Sequence, residues 1–153
     1  MNKRDFLKNA AILTSASMLP SSLWALGKAD KLRTAHIGVG GMGMEDLKAI
    51  SSHTAVEVTA LCDVDANNLA AALKMHPKAK TYTDYRQMLN EMGGSIDAVV
   101  VSTPDHTHAP ASMMAMGMDK PVYCQKPLTH HVTEARAMRK MAEEKNLVTQ
   151  MGI

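Results

Sequence analysis

A chain of 153 residues is long enough to bury the core of one domain and too short for two of ordinary size. Its 17 Lys and Arg nearly cancel its 15 Asp and Glu, which excludes the strongly basic surface that a nucleic-acid or anionic-membrane partner would need. The formal net charge of +2 resides in residues 1–25, through Lys3, Arg4 and Lys8 against Asp5, and the remainder is neutral.

Residues 1–25 read as an export signal. A basic start leads into an apolar stretch over 10–19 that carries Thr14, Ser15 and Ser17, and Pro20-Ser21-Ser22-Leu23-Trp24-Ala25 suits small-residue cleavage. The stretch is too short and too polar for a stable spanning helix, so no stable membrane insertion is expected. The competing reading, an amphipathic first helix, lacks a polar face. Lys3-Arg4-Asp5-Phe6-Leu7-Lys8 resembles a twin-arginine signal with lysine in the first arginine's place. That route exports folded proteins, and the expected location is the periplasm. Residues 26–31 form a linker.

A strand is predicted over 32–39, running into Gly38-Val39-Gly40-Gly41-Met42-Gly43 and a helix over 44–51. Gly38 permits the turn out of the strand, Gly40 lets backbone approach a pyrophosphate, and Gly43 lets helix and sheet pack closely. A second strand over 57–62 ends at Asp63, about 20 residues on, where a carboxylate accepts from an adenosine ribose and repels a 2′-phosphate. NAD is therefore expected over NADP. Alone, the glycines also fit a structural turn and Asp63 a plain strand-end aspartate; strand, turn, helix and acid together point to a dinucleotide site.

The remaining pattern predicts a helix over 66–73, a strand over 79–82, a helix over 84–90 stopped by Gly93-Gly94, and a buried strand over 96–101. A helix over 107–116, a strand over 121–124, a helix over 133–145 and a strand over 147–151 follow. Such alternation means an α/β fold with a doubly wound parallel sheet, whose strand C-termini and ligand share one edge. Met113, Met114, Met116 and Met118, among fourteen methionines, are expected to fill core gaps beside alanines. Cys62 and Cys124 sit late in strands as small buried groups; an oxidising compartment permits a disulfide between them without requiring one.

Two segments fall at strand ends: Ser102-Thr103-Pro104-Asp105-His106-Thr107-His108 and Tyr123-Cys124-Gln125-Lys126-Pro127-Leu128. Pro127 stiffens the backbone at Lys126, which suits its ammonium to donate to a ligand hydroxyl or to act in proton transfer. The plainer reading is a solvated loop lysine. His106 and His108 lack further ligands for a metal, so no metal is expected. His130-His131 precede a helix, with Thr133 a candidate cap.

Residues 38–43, Asp63, Thr103-Pro104 with His108, and Gln125-Lys126-Pro127 resemble the cofactor domain of the glucose-fructose oxidoreductase and inositol dehydrogenase family (Gfo/Idh/MocA), from about residue 32 to the end. The family's usual Glu-Lys-Pro is Gln-Lys-Pro here, a variant that resembles exported members handling sugars. The resemblance implies a Rossmann fold over 32–153 and cofactor contacts from Gly38, Val39, Gly40, Gly41, Met42, Gly43, Asp63, Ser102, Thr103, Pro104, His108, Gln125, Lys126 and Pro127. By the same resemblance Lys126 is the catalytic candidate, touching nicotinamide and the substrate hydroxyl, and His108 lies beside the cofactor pocket. The implied activity is oxidation of a sugar or polyol hydroxyl. A redox-assisted glycosidase and a non-enzymatic dinucleotide sensor are the alternatives. The family's second domain, with its catalytic histidine and most substrate contacts, is not in this sequence. The chain is expected to be a cofactor half, inactive alone, of a protein that is a homo-oligomer at full length.

Overall fold

The computed structural model describes residues 31–153; the expected export signal, and the linker apart from Lys31, lie outside the described residues. Six parallel strands form one sheet: β1 (Leu32–Ile37), β2 (Val56–Cys62), β3 (Lys80–Tyr82), β4 (Ala98–Val101), β5 (Val122–Cys124) and β6 (Thr149–Met151), in the order β3-β2-β1-β4-β5-β6. The helices between them are α1 (Met42–Ser51), α2 (Ala66–Met75), α3 (Tyr85–Met92), α4 (His108–Gly117) and α5 (Val132–Lys145). This is the doubly wound Rossmann-type sheet that the alternation predicts.

Central strands read as continuous apolar runs because both of their faces are covered. Along β2, Ala60 and Cys62 join a cluster with Met88, Leu89, Ala111, Ala115, Met116 and Met138 from α3, α4 and α5. Leu61, between them, turns to the other face and packs with Leu47 of α1 and Leu69 and Ala72 of α2. Burial of each large side chain such as Leu47 or Leu61 stabilises by about 2 kcal/mol. Met116 is fully buried in this cluster, and Met113, Met114 and Met118, partly buried, pack against the cluster, the core filling expected of them.

Most departures from the predicted elements lie at ends. β1 stops at Ile37 because Gly38 turns out of the sheet at φ +83°. α1 begins at Met42, so Gly43 lies inside its first turn. Gly93–Ser95 form a short 3-10 turn rather than an open stop. The fourth strand begins at Ala98, because Asp97 is engaged with Arg33 through three hydrogen bonds. α5 ends at Lys145, capped by Asn146 in the left-handed conformation at φ 51°, and the Leu147 N–H turns back to Ala142, which delays β6 to Thr149. Thr133 is not a cap: His131 holds that position, and the Glu134 carboxylate accepts from the N–H groups of His131 (2.9 Å) and His130 (3.1 Å). A glutamate three residues past the cap is the capping-box arrangement.

Cys62 ends β2 and Cys124 ends β5, with β1 and β4 between them. At about 4.8 Å per strand that is a separation of roughly 14 Å, twice what a disulfide spans. Both thiols are free and buried.

Candidate functional site

Residues just past five strands share one level. The N–H of Asp63 donates to Tyr82 O (3.1 Å), Gly38 to Cys62 O (2.8 Å), Ser102 to Ile37 O (2.8 Å), Gln125 to Val101 O (2.9 Å) and Gly152 to Cys124 O (2.8 Å). Each adds one rung to the parallel ladder, so Asp63, Gly38, Ser102, Gln125 and Gly152 stand in a row along one edge of the sheet. The connections after β1 and β4 leave in opposite directions, which makes the space above them the switch point where open α/β sheets hold ligands. A cleft of about 630 Å³ opens there, lined by Gly38, Gly40, Gly41, Asp63, and the segment from Ser102 to Pro104.

The glycines differ in what they permit. A Cβ on Gly38 would stand 2.6 Å from Ser102 O, and one on Gly43 would collide with the Gly38 carbonyl oxygen. Both obstacles are backbone, so these two positions fix how closely turn, helix and β4 meet. A Cβ on Gly40 would strike the Asn68 amide, a side-chain tip able to move, and one on Gly41 would meet open space. No side chain caps the start of α1; the N–H groups of Gly43 and Met44 turn back to the carbonyls of Gly40 and Gly41 at 2.9 and 3.1 Å, so the amides just before them are the ones placed to serve an anion.

Asp63 stands at the mouth with both oxygens engaged. Oδ2 accepts from Val39 N–H (2.9 Å), and Oδ1 accepts from Asp65 N–H (2.9 Å) and from the Asn68 amide (3.4 Å). The carboxylate is therefore oriented before any ribose arrives. The Cys62 thiol, also lining the cleft, is pushed up to about 12 by burial first and then by Asp63 and Asp84, so it stays protonated and is no nucleophile. The closely approached glycine turn and the preset carboxylate fit a dinucleotide with its pyrophosphate on α1 and its ribose at Asp63.

The other site candidates fall around this cleft unequally. Val39 is buried under the turn and Met42 is exposed beside it, and neither lines the cleft. His108, which the resemblance places beside the pocket, is 1% exposed and lies beneath it. Its Nδ1 meets Pro127 O and its Nε2 meets Thr103 O, each at 2.6 Å. Whichever ring nitrogen carries the proton donates to its carbonyl and the other packs against the second, so the buried ring braces two loops instead of reaching the cleft. His106, exposed, lines the cleft. Gln125 is buried, whereas Lys126 and Pro127 are exposed on the next loop, outside the cleft lining.

Sequence reasoning missed Val64, Asp65, Asn68 and Thr107 in the lining, and Asp46 behind it, whose carboxylate receives Ser102 Oγ at 2.6 Å. The signal for Asp46 was its place one residue before Leu47 and three after Gly43, on the stripe of α1 that faces the sheet.

Comparison with known proteins gives the same assignment. An inositol 2-dehydrogenase of Salmonella typhimurium is 33% identical over 118 residues, 75% of this chain and 34% of that protein. A glycosyl hydrolase family 109 protein of Stenotrophomonas maltophilia is 35% identical over 137 residues, 82% of this chain and 29% of that protein. The crystal structure of myo-inositol 2-dehydrogenase from Lactobacillus plantarum superposes with a TM-score of 0.74 at 30% identity, covering 80% of this chain and 36% of that one. The chain thus spans about a third of the length of these relatives. The family model described as "Oxidoreductase family, NAD-binding Rossmann fold" (GFO_IDH_MocA) matches residues 32–153. With its glycine turn, preset Asp63 and parallel sheet, the chain belongs to the Gfo/Idh/MocA oxidoreductase family, as its NAD-binding Rossmann domain.

Proposed function

We propose that the complete protein is a NAD-dependent oxidoreductase acting on a hydroxyl of a sugar or polyol, with this chain as its cofactor half. The observation that carries the reading is the row along the sheet edge: Lys126 follows Gln125 directly, two strands from Gly38 and the dinucleotide cleft. Two relatives named as inositol dehydrogenases support the substrate class. NAD, when bound, supplies the hydride acceptor. The chain's own residues hold it: the start of α1 binds the pyrophosphate, Asp63 the ribose, and the loop of Thr103 and Pro104 bounds the cleft. Lys126 is assigned to donate to the substrate oxygen and to steady it as its proton leaves.

The exported Gln-Lys-Pro form belongs to this reading. Lys3-Arg4 and the apolar stretch over 10–19 support export through a twin-arginine-like route into the periplasm, with NAD loaded before transport and retained afterwards. A homo-oligomer at full length is part of the same proposal.

Native mass spectrometry of the purified full-length protein is expected to show bound NAD, and turnover of a panel of inositols and aldoses is expected to form NADH. Absence of bound NAD together with no binding on titration overturns the reading. The glycosyl hydrolase family 109 relative favours one second outcome: release of an aglycone from a glycoside without net NADH, the mark of a redox-assisted glycosidase. A function untouched by Lys126→Ala would instead indicate a dinucleotide sensor.

A further inference from the structure

One carboxylate behind the glycine turn joins three elements. Asp46 lies on the buried side of α1 with Gly43 and Leu47, only 7% exposed, and none of the ion pairs among the described residues includes it. Its Oδ2 accepts from Ser102 Oγ at 2.6 Å and its Oδ1 from Gln125 Nε2 at 3.1 Å. Gln125, itself 5% exposed, spends its other amide atom on the next residue: Oε1 accepts from the Lys126 N–H at 2.9 Å. The Tyr123 hydroxyl lies near this carboxylate and is raised above its ordinary range by burial first and then by the charge of Asp46.

The Gln125 amide is therefore used at both ends, as donor toward Asp46 and as acceptor toward Lys126. Turning it over would set Nε2 against an N–H and Oε1 against a carboxylate, so a single orientation satisfies both neighbours. We propose that Asp46 is a positioning residue that fixes the backbone at Lys126 through Gln125; its bearing on catalysis rests on the reading of Lys126 as the group that holds the substrate oxygen. A glutamate at 125 would still accept from Lys126 but would face Asp46 with a second carboxylate, and like charges at hydrogen-bond distance disfavour each other. Glutamine at 125 is thus matched to aspartate at 46, and glutamate at 125 would be matched to asparagine at 46.

The test exchanges donor and acceptor. In the full-length protein, Gln125→Glu is expected to speed hydrogen exchange at the Lys126 amide about tenfold or more, the ratio that corresponds to about 1.4 kcal/mol. Adding Asp46→Asn is expected to return it to within about threefold of the parent, because the amide introduced on α1 then donates where Gln125 did. An unchanged rate in Gln125→Glu, or a double variant as fast as the single, overturns the proposal. If Gln125→Glu yields no soluble protein, recovery of soluble protein on adding Asp46→Asn supports it and persistent insolubility overturns it. Calorimetric titration of the parent with NAD separates the two claims. A parent that does not bind NAD sinks the functional reading and leaves the exchange result standing, whereas failed rescue in a protein that binds NAD overturns only the role of Asp46.

Discussion

The backbone N–H of Val39 donates to Oδ2 of Asp63 across 2.9 Å, so the carboxylate that faces the cleft also ties down the glycine turn. Asp63→Ala leaves the N–H groups of Val39 and Asp65 without their acceptor, at about 1–3 kcal/mol for a donor left unpaired. NAD affinity is expected to fall about tenfold and discrimination against NADP to vanish with the negative charge. Asp63→Asn keeps an acceptor and loses the charge, so it should lose discrimination with a smaller loss of stability. Titration calorimetry with both cofactors, alongside urea unfolding, checks both effects.

Alanine substitution should rank the four glycines by what each new Cβ meets. Gly38→Ala combines a φ of +83° with an approach of 2.6 Å to backbone, and Gly43→Ala collides with the Gly38 carbonyl; each is expected to cost about 3 kcal/mol. Gly41→Ala meets no atom, but φ 50° with ψ −121° is a conformation that L residues avoid, so backbone strain alone is expected to cost about 2 kcal/mol. Gly40→Ala displaces a movable Asn68 amide and should weaken NAD binding more than folding. Thermal unfolding with and without NAD measures both scales, and a Gly43→Ala protein as stable as the parent contradicts the ranking.

Acid should destabilise the fold through His36. Burial first, and then His76, lowers its imidazole from 6.5 to about 3, and burial lowers His76 in the same direction. Between those values the unfolded chain binds a proton that the native chain refuses, so stability falls as pH drops from about 6.5 toward 3. From pH 7 to pH 5 the loss from His36 is about 2 kcal/mol. Urea unfolding at both pH values checks the figure, and His36→Leu should flatten most of the slope.

The buried thiols should resist reagents. Cys62, pushed up to about 12, and Cys124, raised by burial, are expected to alkylate on the timescale of unfolding and to form no intramolecular disulfide under oxidising conditions. Mass spectrometry of native and urea-treated protein after iodoacetamide distinguishes the states. Rapid labelling of Cys62 in native protein is the contrary result.

The places of the six strands along the chain and their parallel pairing were legible because each central strand is a β-branched or apolar run closed by glycine, proline or a polar residue. The glycine turn and Asp63 were legible for a related reason: the backbone itself requires those residue types. Asp46 was not. Flanked by Glu45 and Lys48, which pair with each other on the solvent side at 2.8 Å, it reads as one more surface charge. Its burial depends on Ser102 and Gln125, 56 and 79 residues away. His108 carried the opposite difficulty. A histidine near a cofactor loop suggests a ligand, and only the positions of Thr103 and Pro127 show that both its nitrogens face backbone carbonyls instead of the cleft. His36 hid in an apolar strand, where its lowered basicity comes from the packing around it.

Because one buried imidazole lies against the carbonyls of both Thr103 and Pro127, the loops after β4 and β5 form a single inheritable unit. Transplanting either loop from another member of the family would leave His108 reaching for a carbonyl displaced from its place, whereas moving both loops with the histidine carries the clasp intact. Chimeras that recombine such domains should therefore place their crossovers before Ser102 or after Leu128, and those cut between them should fold poorly even when both parents are stable.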